Sequence, residues 1–245
     1  KNLKGIVFND HLNAKFKLED IIEISNFLGV DVVEKKKEKF NLIHKSTNIN
    51  KPLKNLEDVI LLILLGIPLI ILTIVFSILV LLFQGRPIFF KQKRVGENGN
   101  YFKIYKFRTM NNKKLTEQEL IELNQRDKIV FKSSNDPRIT KLGKFLRRSS
   151  IDELPQIINI FKNEMSFIGP RPPILDEVSQ YELKHLKRIS IKPGITGLWQ
   201  VTLRQDNNFD KWVEKDIEYI ENWNIFLDIK IIFLTFKEIY KLTGE

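Results

Sequence analysis

The chain has 245 residues, enough for one large domain or two modest ones with a buried core. Its 40 Lys and Arg against 30 Asp and Glu give a formal charge of +10, which suits a polyanionic partner such as nucleic acid, anionic headgroups or a phosphorylated substrate. It has no Cys, which excludes disulfides, thiolate metal sites and a cysteine nucleophile and fits a reducing compartment.

Residues 1–50 read as the tail of an upstream domain or a linker, with an amphipathic helix around "KLEDIIEISNFLG" and a strand, lysine-rich turn and strand in "VDVVEKKKEKFNLI". The sequence opens on Lys1 without an initiator Met or a signal pattern, as a piece of a longer protein would. Residues 59–83 then carry no charge in 25 positions. As helix they would reach about 37 Å, ample for a bilayer core of about 30 Å. Pro68 removes a donor to the carbonyl of Leu64, which predicts a bend or break there. Lys51 and Lys54 flank one end, and Arg86, Lys91, Lys93 and Arg94 the other. Positive charge on both sides gives a spanning helix no orientation, so a re-entrant hairpin is favoured over a span.

Asn98-Gly99 between two polar-apolar runs predicts a β-hairpin with Tyr101 to Phe107 as the returning strand. A polar helix and loop follow over 111–130. Asp136-Pro137 makes a turn before a helix with Leu142, Phe145 and Leu146 on one face. Leu154, Ile157, Ile158 and Phe161 have helical spacing, "GPRPP" and "KPGITGLWQV" form stiff loops, and the chain closes on a helix. There Ile225, Ile229, Ile232, Phe233, Phe236 and Ile239 share a face while Lys230, Lys237 and Lys241 reach elsewhere. That pattern suits the membrane interface or packing against the hairpin.

Asp152 and Glu153 stand out in "RRSSIDELPQ". Ser150-x-x-Glu153 fits a capping box, and a helix starting at Asp152 would place Pro155 in its first turn. Local pattern alone favours such a structural role. Around the pair, however, Arg147, Arg148, Arg171, Lys106 and Arg108 accumulate. Cations with two carboxylates near a membrane suit a diphosphate and a divalent ion, since Mg²⁺ typically uses one or two carboxylates plus substrate phosphates.

"KFRTM", "DPRITKLGKFLRRSSIDELPQIINIFKNEMSFIGPRPP" and "KPGITGLWQV" together resemble the bacterial sugar transferases, the monotopic phosphoglycosyl transferases that start polysaccharide and glycoconjugate assembly. The likeness covers residues 51–245, and "FDKWVEKDIEYIENWNIFLDIKII" is similar to the subgroup initiating exopolysaccharide, capsule or O-antigen synthesis. It implies an α+β, mainly α fold with a re-entrant membrane helix, a small β-hairpin and interfacial amphipathic helices, on the cytoplasmic face of the bacterial inner membrane. It further implies transfer of a sugar-1-phosphate from a UDP-sugar to undecaprenyl phosphate, releasing UMP. Asp152 matches the family nucleophile and Glu153 its acidic partner in Mg²⁺ binding, with both carboxylates as candidate metal ligands. Arg171 matches the arginine associated with the nucleotide, and Arg147 and Lys106 match phosphate-contacting residues. Many members carry Ser before the hairpin proline, whereas Ile67 here offers no hydroxyl to the freed carbonyl. A non-catalytic scaffold of the same fold and a basic nucleic-acid-binding protein are the alternatives. The latter leaves the apolar segment idle and lacks zinc-finger or RNA-recognition motifs, so no nucleic-acid partner is expected. Membrane lipids are expected partners, a homo-oligomer is left open, and no residue reveals which sugar is carried.

Overall fold

A computed structural model describes residues 30–31, 43–44, 49–111, 113, 115–116, 118–119 and 136–241. Strands β1 (Val30–Asp31) and β2 (Ile43–His44) pair antiparallel, as the strand-turn-strand reading requires. The amphipathic helix expected before them, and most of the polar stretch over 111–130, lie outside the described residues.

Helix α1 runs from Lys51–Gln84. Asn50 caps it by accepting from the Leu53 N–H at 3.1 Å, Pro52 sits in the first turn where its missing donor costs nothing, and Gly85 ends it at φ 68°. The backbone stays helical through Pro68 rather than breaking there. Thr73 and Ser77 donate to the carbonyls of Leu69 and Thr73, turning their hydroxyls back onto the helix. Only Lys54, Asp58, Gly66, Thr73 and Val80 are buried, a narrow seam on one side. Leu61, Leu62, Leu65 and Leu69 pack part-way against the body, and much of the remaining surface is exposed aliphatic: Ile63 is 71% and Leu82 73% exposed. Among the described residues this is the one helix long and apolar enough to cross a membrane.

Strands β3 (Phe89–Val95) and β4 (Tyr101–Phe107) form the expected hairpin, with Phe90 opposite Lys106 and Arg94 opposite Phe102. Asn98 and Gly99 take positive φ values of 56° and 74° at its turn, which an Asn-Gly pair accommodates. Helix α2 (Lys141–Arg148) is capped by Thr140, whose hydroxyl accepts from the Gly143 N–H at 2.8 Å. Leu146 is fully buried and Leu142 packs beside it, but Phe145 is half exposed rather than on their face. A 3₁₀ helix (Ile151–Gln156) leads into α3 (Ile157–Phe161). The 3₁₀ turn advances three residues per turn and shifts the phase of the apolar pattern. Leu154 therefore does not continue the phase of α3, within which Ile157 and Ile160 are buried while Phe161, given helical spacing with Ile157 by the sequence, ends the helix about half exposed.

Strand β5 (Ser166–Ile168) pairs parallel with β6 (Gly194–Thr196). The loop that follows β5 packs so tightly on the start of β6 that a Cβ at Gly194 would collide with the Gly169 backbone. Helices α4 (Leu175–Val178), α5 (Leu198–Thr202), α6 (Phe209–Asn222) and α7 (Ile225–Tyr240) complete the mainly helical body. On α7 the exposed apolar face is Phe226, Ile229, Phe233, Phe236 and Tyr240. Ile232 and Ile239 turn part-way inward instead, because the buried edge of the helix is set by Asp228 and Ile231.

Candidate active site

The β3–β4 hairpin, α2, the 3₁₀ helix, the Pro-Arg-Pro loop and the end of α5 surround a cleft of about 930 Å³. Lys106, Arg147, Asp152, Glu153 and Arg171, all singled out by the sequence, line it. Each arrives by a different route. Lys106 lies on the inner face of β4, Arg147 in the last turn of α2, the acids on the 3₁₀ helix and Arg171 in the stiff loop after β5.

The capping reading of the acids is not what forms. Ser150 makes no side-chain cap bond. It adopts φ 57°, a left-handed conformation that costs a non-Gly residue free energy, and its hydroxyl accepts from Arg204 Nη2 at 3.1 Å. Glu153 reaches across to Lys106 Nζ at 2.5 Å instead of back to the backbone. Among the described residues nothing hydrogen-bonds the Asp152 carboxylate, which is left facing the cleft.

The two acids divide electrostatically. Burial pushes the Asp152 carboxyl up to about 7, with the neighbouring Glu153 charge adding to the rise and Lys106, Arg147 and Arg204 opposing it. Burial also acts to raise Glu153. There the charge and hydrogen bond of Lys106, helped by Arg204 and Arg171, outweigh it and hold the carboxyl below the ordinary range. One carboxylate is thus firmly ionised and bonded, and the other is unbonded and exchanges its proton near neutrality.

The cations are held differently. Arg147 Nε donates to Thr109 Oγ1 at 2.9 Å. Arg171 Nη1 donates to Glu177 at 3.2 Å. Arg108 is committed elsewhere, to the carbonyls of Gln84 and Gly85 at the end of α1. Two cleft residues were not recognised from the sequence. Arg94, read as part of the basic membrane flank, is buried; its Nη1 donates to Pro172 O at 2.9 Å, and burial with the like charge of Arg171 lowers it to about 9. Strand register could have found it, since Arg94 and Lys106 share a face of the hairpin. Arg204, beyond "TGLWQV", had no local signal. Lys54, the other flank residue misread, is buried against Asp228 at 2.7 Å.

The donor chemistry of the acid pair fits a magnesium ion. Two adjacent carboxylates supply hard oxygens, and among the described residues no third acidic, His or Cys ligand completes a cage. Mg²⁺ ordinarily takes its remaining ligands from water and phosphate.

The family described as bacterial sugar transferase matches residues 49–242, which includes every element around the cleft. The chain belongs to this family. Among its curated relatives, the galactosyl transferase CpsE of Streptococcus agalactiae is 48% identical over 163 residues, covering 66% of this chain and 36% of the relative. The UDP-glucose:undecaprenyl-phosphate glucose-1-phosphate transferase of Escherichia coli is 39% identical over 200 residues, 77% of this chain and 40% of that protein. The exopolysaccharide production protein ExoY of Sinorhizobium fredii is 39% identical over 183 residues, 73% of this chain and 81% of ExoY. The chain therefore spans little more than a third of the first of these relatives and most of the shorter ExoY.

Proposed function

We propose that the chain is the catalytic part of a phosphoglycosyl transferase that passes a sugar-1-phosphate from a UDP-sugar to undecaprenyl phosphate at the cytoplasmic face of the bacterial inner membrane. The observation that carries this reading is the unbonded Asp152 carboxylate in a cleft lined by Arg94, Lys106, Arg147, Arg171 and Arg204. The names of the relatives, which include undecaprenyl-phosphate sugar phosphotransferases, support the same substrates.

In the first step an Asp152 oxygen attacks the β-phosphorus of the donor. The bond from that phosphorus to the bridging oxygen breaks, UMP leaves with the bridging oxygen and the electron pair, and the sugar phosphate is held as an acyl phosphate. In the second, a phosphate oxygen of undecaprenyl phosphate attacks the same phosphorus, the acyl-phosphate bond breaks, and Asp152 returns as a carboxylate beside a sugar-diphosphate lipid. Lys106, Arg147 and Arg171 offset the charge that gathers when an anion attacks a diphosphate. A magnesium ion held by Asp152 and Glu153, when bound, would supply further neutralisation of the phosphate oxygens. Glu153, fixed by Lys106, keeps its charge throughout.

A re-entrant placement of α1 accompanies this chemistry, because the lipid phosphate lies at headgroup depth. Its support is that both ends of α1 dock on one body. Near the start, Lys51 pairs with Glu97 and Lys54 with Asp228; near the end, the Gln84 amide donates to Arg108 O and Val80 packs with Phe107 and Leu146. The exposed face of α7 would lie along the same interface.

Supplying UDP-sugar and Mg²⁺ without lipid should leave a sugar-phosphate adduct on Asp152, read by intact mass, with one UMP released per chain. Asp152→Asn should give neither adduct nor turnover. Turnover by the wild-type chain with no adduct at any time would remove the two-step mechanism, and full activity of Asp152→Asn would make the chain's acid pair structural.

A further inference from the structure

A continuous run of hydrogen bonds joins the membrane helix to the loop that carries Arg171. Asp58, two turns into α1 and 6% exposed, accepts from Ser166 Oγ at 2.7 Å and from the Phe167 N–H at 3.0 Å. Ser166 and Phe167 open β5, whose partner strand holds it in register at Ser166↔Gly194 and Ile168↔Thr196. Directly after β5, Gly169 N donates to Thr196 O at 2.9 Å, and Gly194 N returns the bond to Pro170 O at 2.9 Å. A Cβ at Gly169 would lie 2.6 Å from the Lys192 carbonyl oxygen, so this segment has no room to slide. Beyond it, Arg94 and Val95 fix the carbonyls of Pro172 and Pro173. The one bonded partner of the Arg171 guanidinium in the run is Glu177, which also accepts from Ile174 N.

We infer that Asp58 is a positioning residue for the donor site: it sets where β5 begins, and through the clamped Gly169-Pro170 link it sets where Arg171 stands in the cleft. The inference rests on the donor reading above, in which Arg171 meets the nucleotide. It adds that a residue of the membrane helix, outside the cleft lining, governs donor binding. Asp58 is well suited to this, because a carboxylate can take both a backbone and a side-chain donor from one strand end. Its second oxygen is buried and without a partner among the described residues, so one oxygen carries the whole connection.

The separation of this role from simple anchoring is visible in the same helix. One turn earlier, Lys54 docks α1 through Asp228, which also accepts from Trp223 Nε1 at 2.8 Å. That contact ties α1 to α7 and does not touch β5. The two acids therefore offer a contrast: Asp58 bonds the start of β5 directly, whereas Asp228 reaches that strand only through Tyr219, whose hydroxyl donates to Ile168 O at 3.3 Å.

Turnover of UDP-sugar by the wild-type chain in nanodiscs carrying undecaprenyl phosphate, with Mg²⁺ supplied and UMP release followed, tests the donor reading on its own. With that turnover measured, Asp58→Ala should raise KM for the donor about tenfold while kcat stays within about twofold, the loss of one hydrogen-bonded anchor. Asp58→Asn should restore KM, since its amide oxygen accepts the same two bonds. Asp228→Asn should lower the melting temperature without moving KM. Combined with Arg171→Ala, Asp58→Ala should add nothing further to KM, because its effect runs through Arg171. Should Asp58→Ala not fold, Ser166→Ala, which removes one of the two bonds, should give a smaller rise in KM. A wild-type KM in Asp58→Ala or, failing that, in Ser166→Ala overturns the inference. So does a rise that multiplies with that of Arg171→Ala, or an equal rise in Asp228→Asn.

Discussion

At the scale of the residue, adjacent acids differ because their partners differ. Glu153 has Lys106 at 2.5 Å, and Asp152 has none among the described residues. A nucleophile that titrates up at about 7 must lose its proton before it attacks. The ionised fraction rises with pH, so kcat/KM for the first half-reaction should climb from pH 6 to 8 and level above that range, measured as UMP burst rate. A flat profile would mean that Asp152 is ionised throughout. Lys106→Ala should remove the partner that holds Glu153 down and one phosphate-facing charge, lowering kcat/KM by about 10²-fold, with Lys106→Arg recovering part of it. The motif made both acids legible in the sequence. Their division of labour was not, because it depends on a lysine 47 positions away and on an arginine beyond a separate loop.

At the scale of the element, the sequence located most pieces but misjudged their phase. The Asn-Gly hairpin and the helix limits follow from short-range stereochemistry, which neighbours in sequence determine. Helical spacing grouped Phe145 with Leu142 and Leu146, and Phe161 with Ile157 and Ile158, but spacing alone does not say how far round a short helix its neighbours reach, and both rings end about half exposed. Pro68 was expected to bend or break α1; the helix does not break there, since one lost hydrogen bond is a small cost against the turns formed on either side of it. Two tight joints at this scale invite tests. A Cβ at Gly143 would collide with the Thr109 carbonyl, the same residue that holds Arg147 through its hydroxyl. Gly143→Ala should therefore destabilise by about 1–3 kcal/mol in denaturant unfolding. Asp228→Ala should cost about 1–3 kcal/mol in the same measurement, since it leaves the Trp223 indole N–H without its acceptor and Lys54 with Glu57 as its one remaining carboxylate.

At the scale of the whole molecule, the absence of Cys makes topology directly measurable. Single cysteines introduced near Lys54 and Arg86 should react with an impermeant thiol reagent from the same side of oriented vesicles; labelling from opposite sides would make α1 a span. The sequence argued this from positive flanks, and two of those charges, Lys54 and Arg94, turn out to be consumed inside the protein. The better argument is the docking of both helix ends on one body, which no window of sequence could display. The Lys54–Asp228 contact has a further consequence, for how the molecule is made. Its two halves lie 174 positions apart. A ribosome therefore delivers α1, with a lysine on its inward side, long before Asp228 exists. Until the last helix emerges, that ammonium has Glu57, 3.2 Å away and three residues on, as its partner within α1, so the closing helix completes an ion pair already half made and is the last piece to seal it from water.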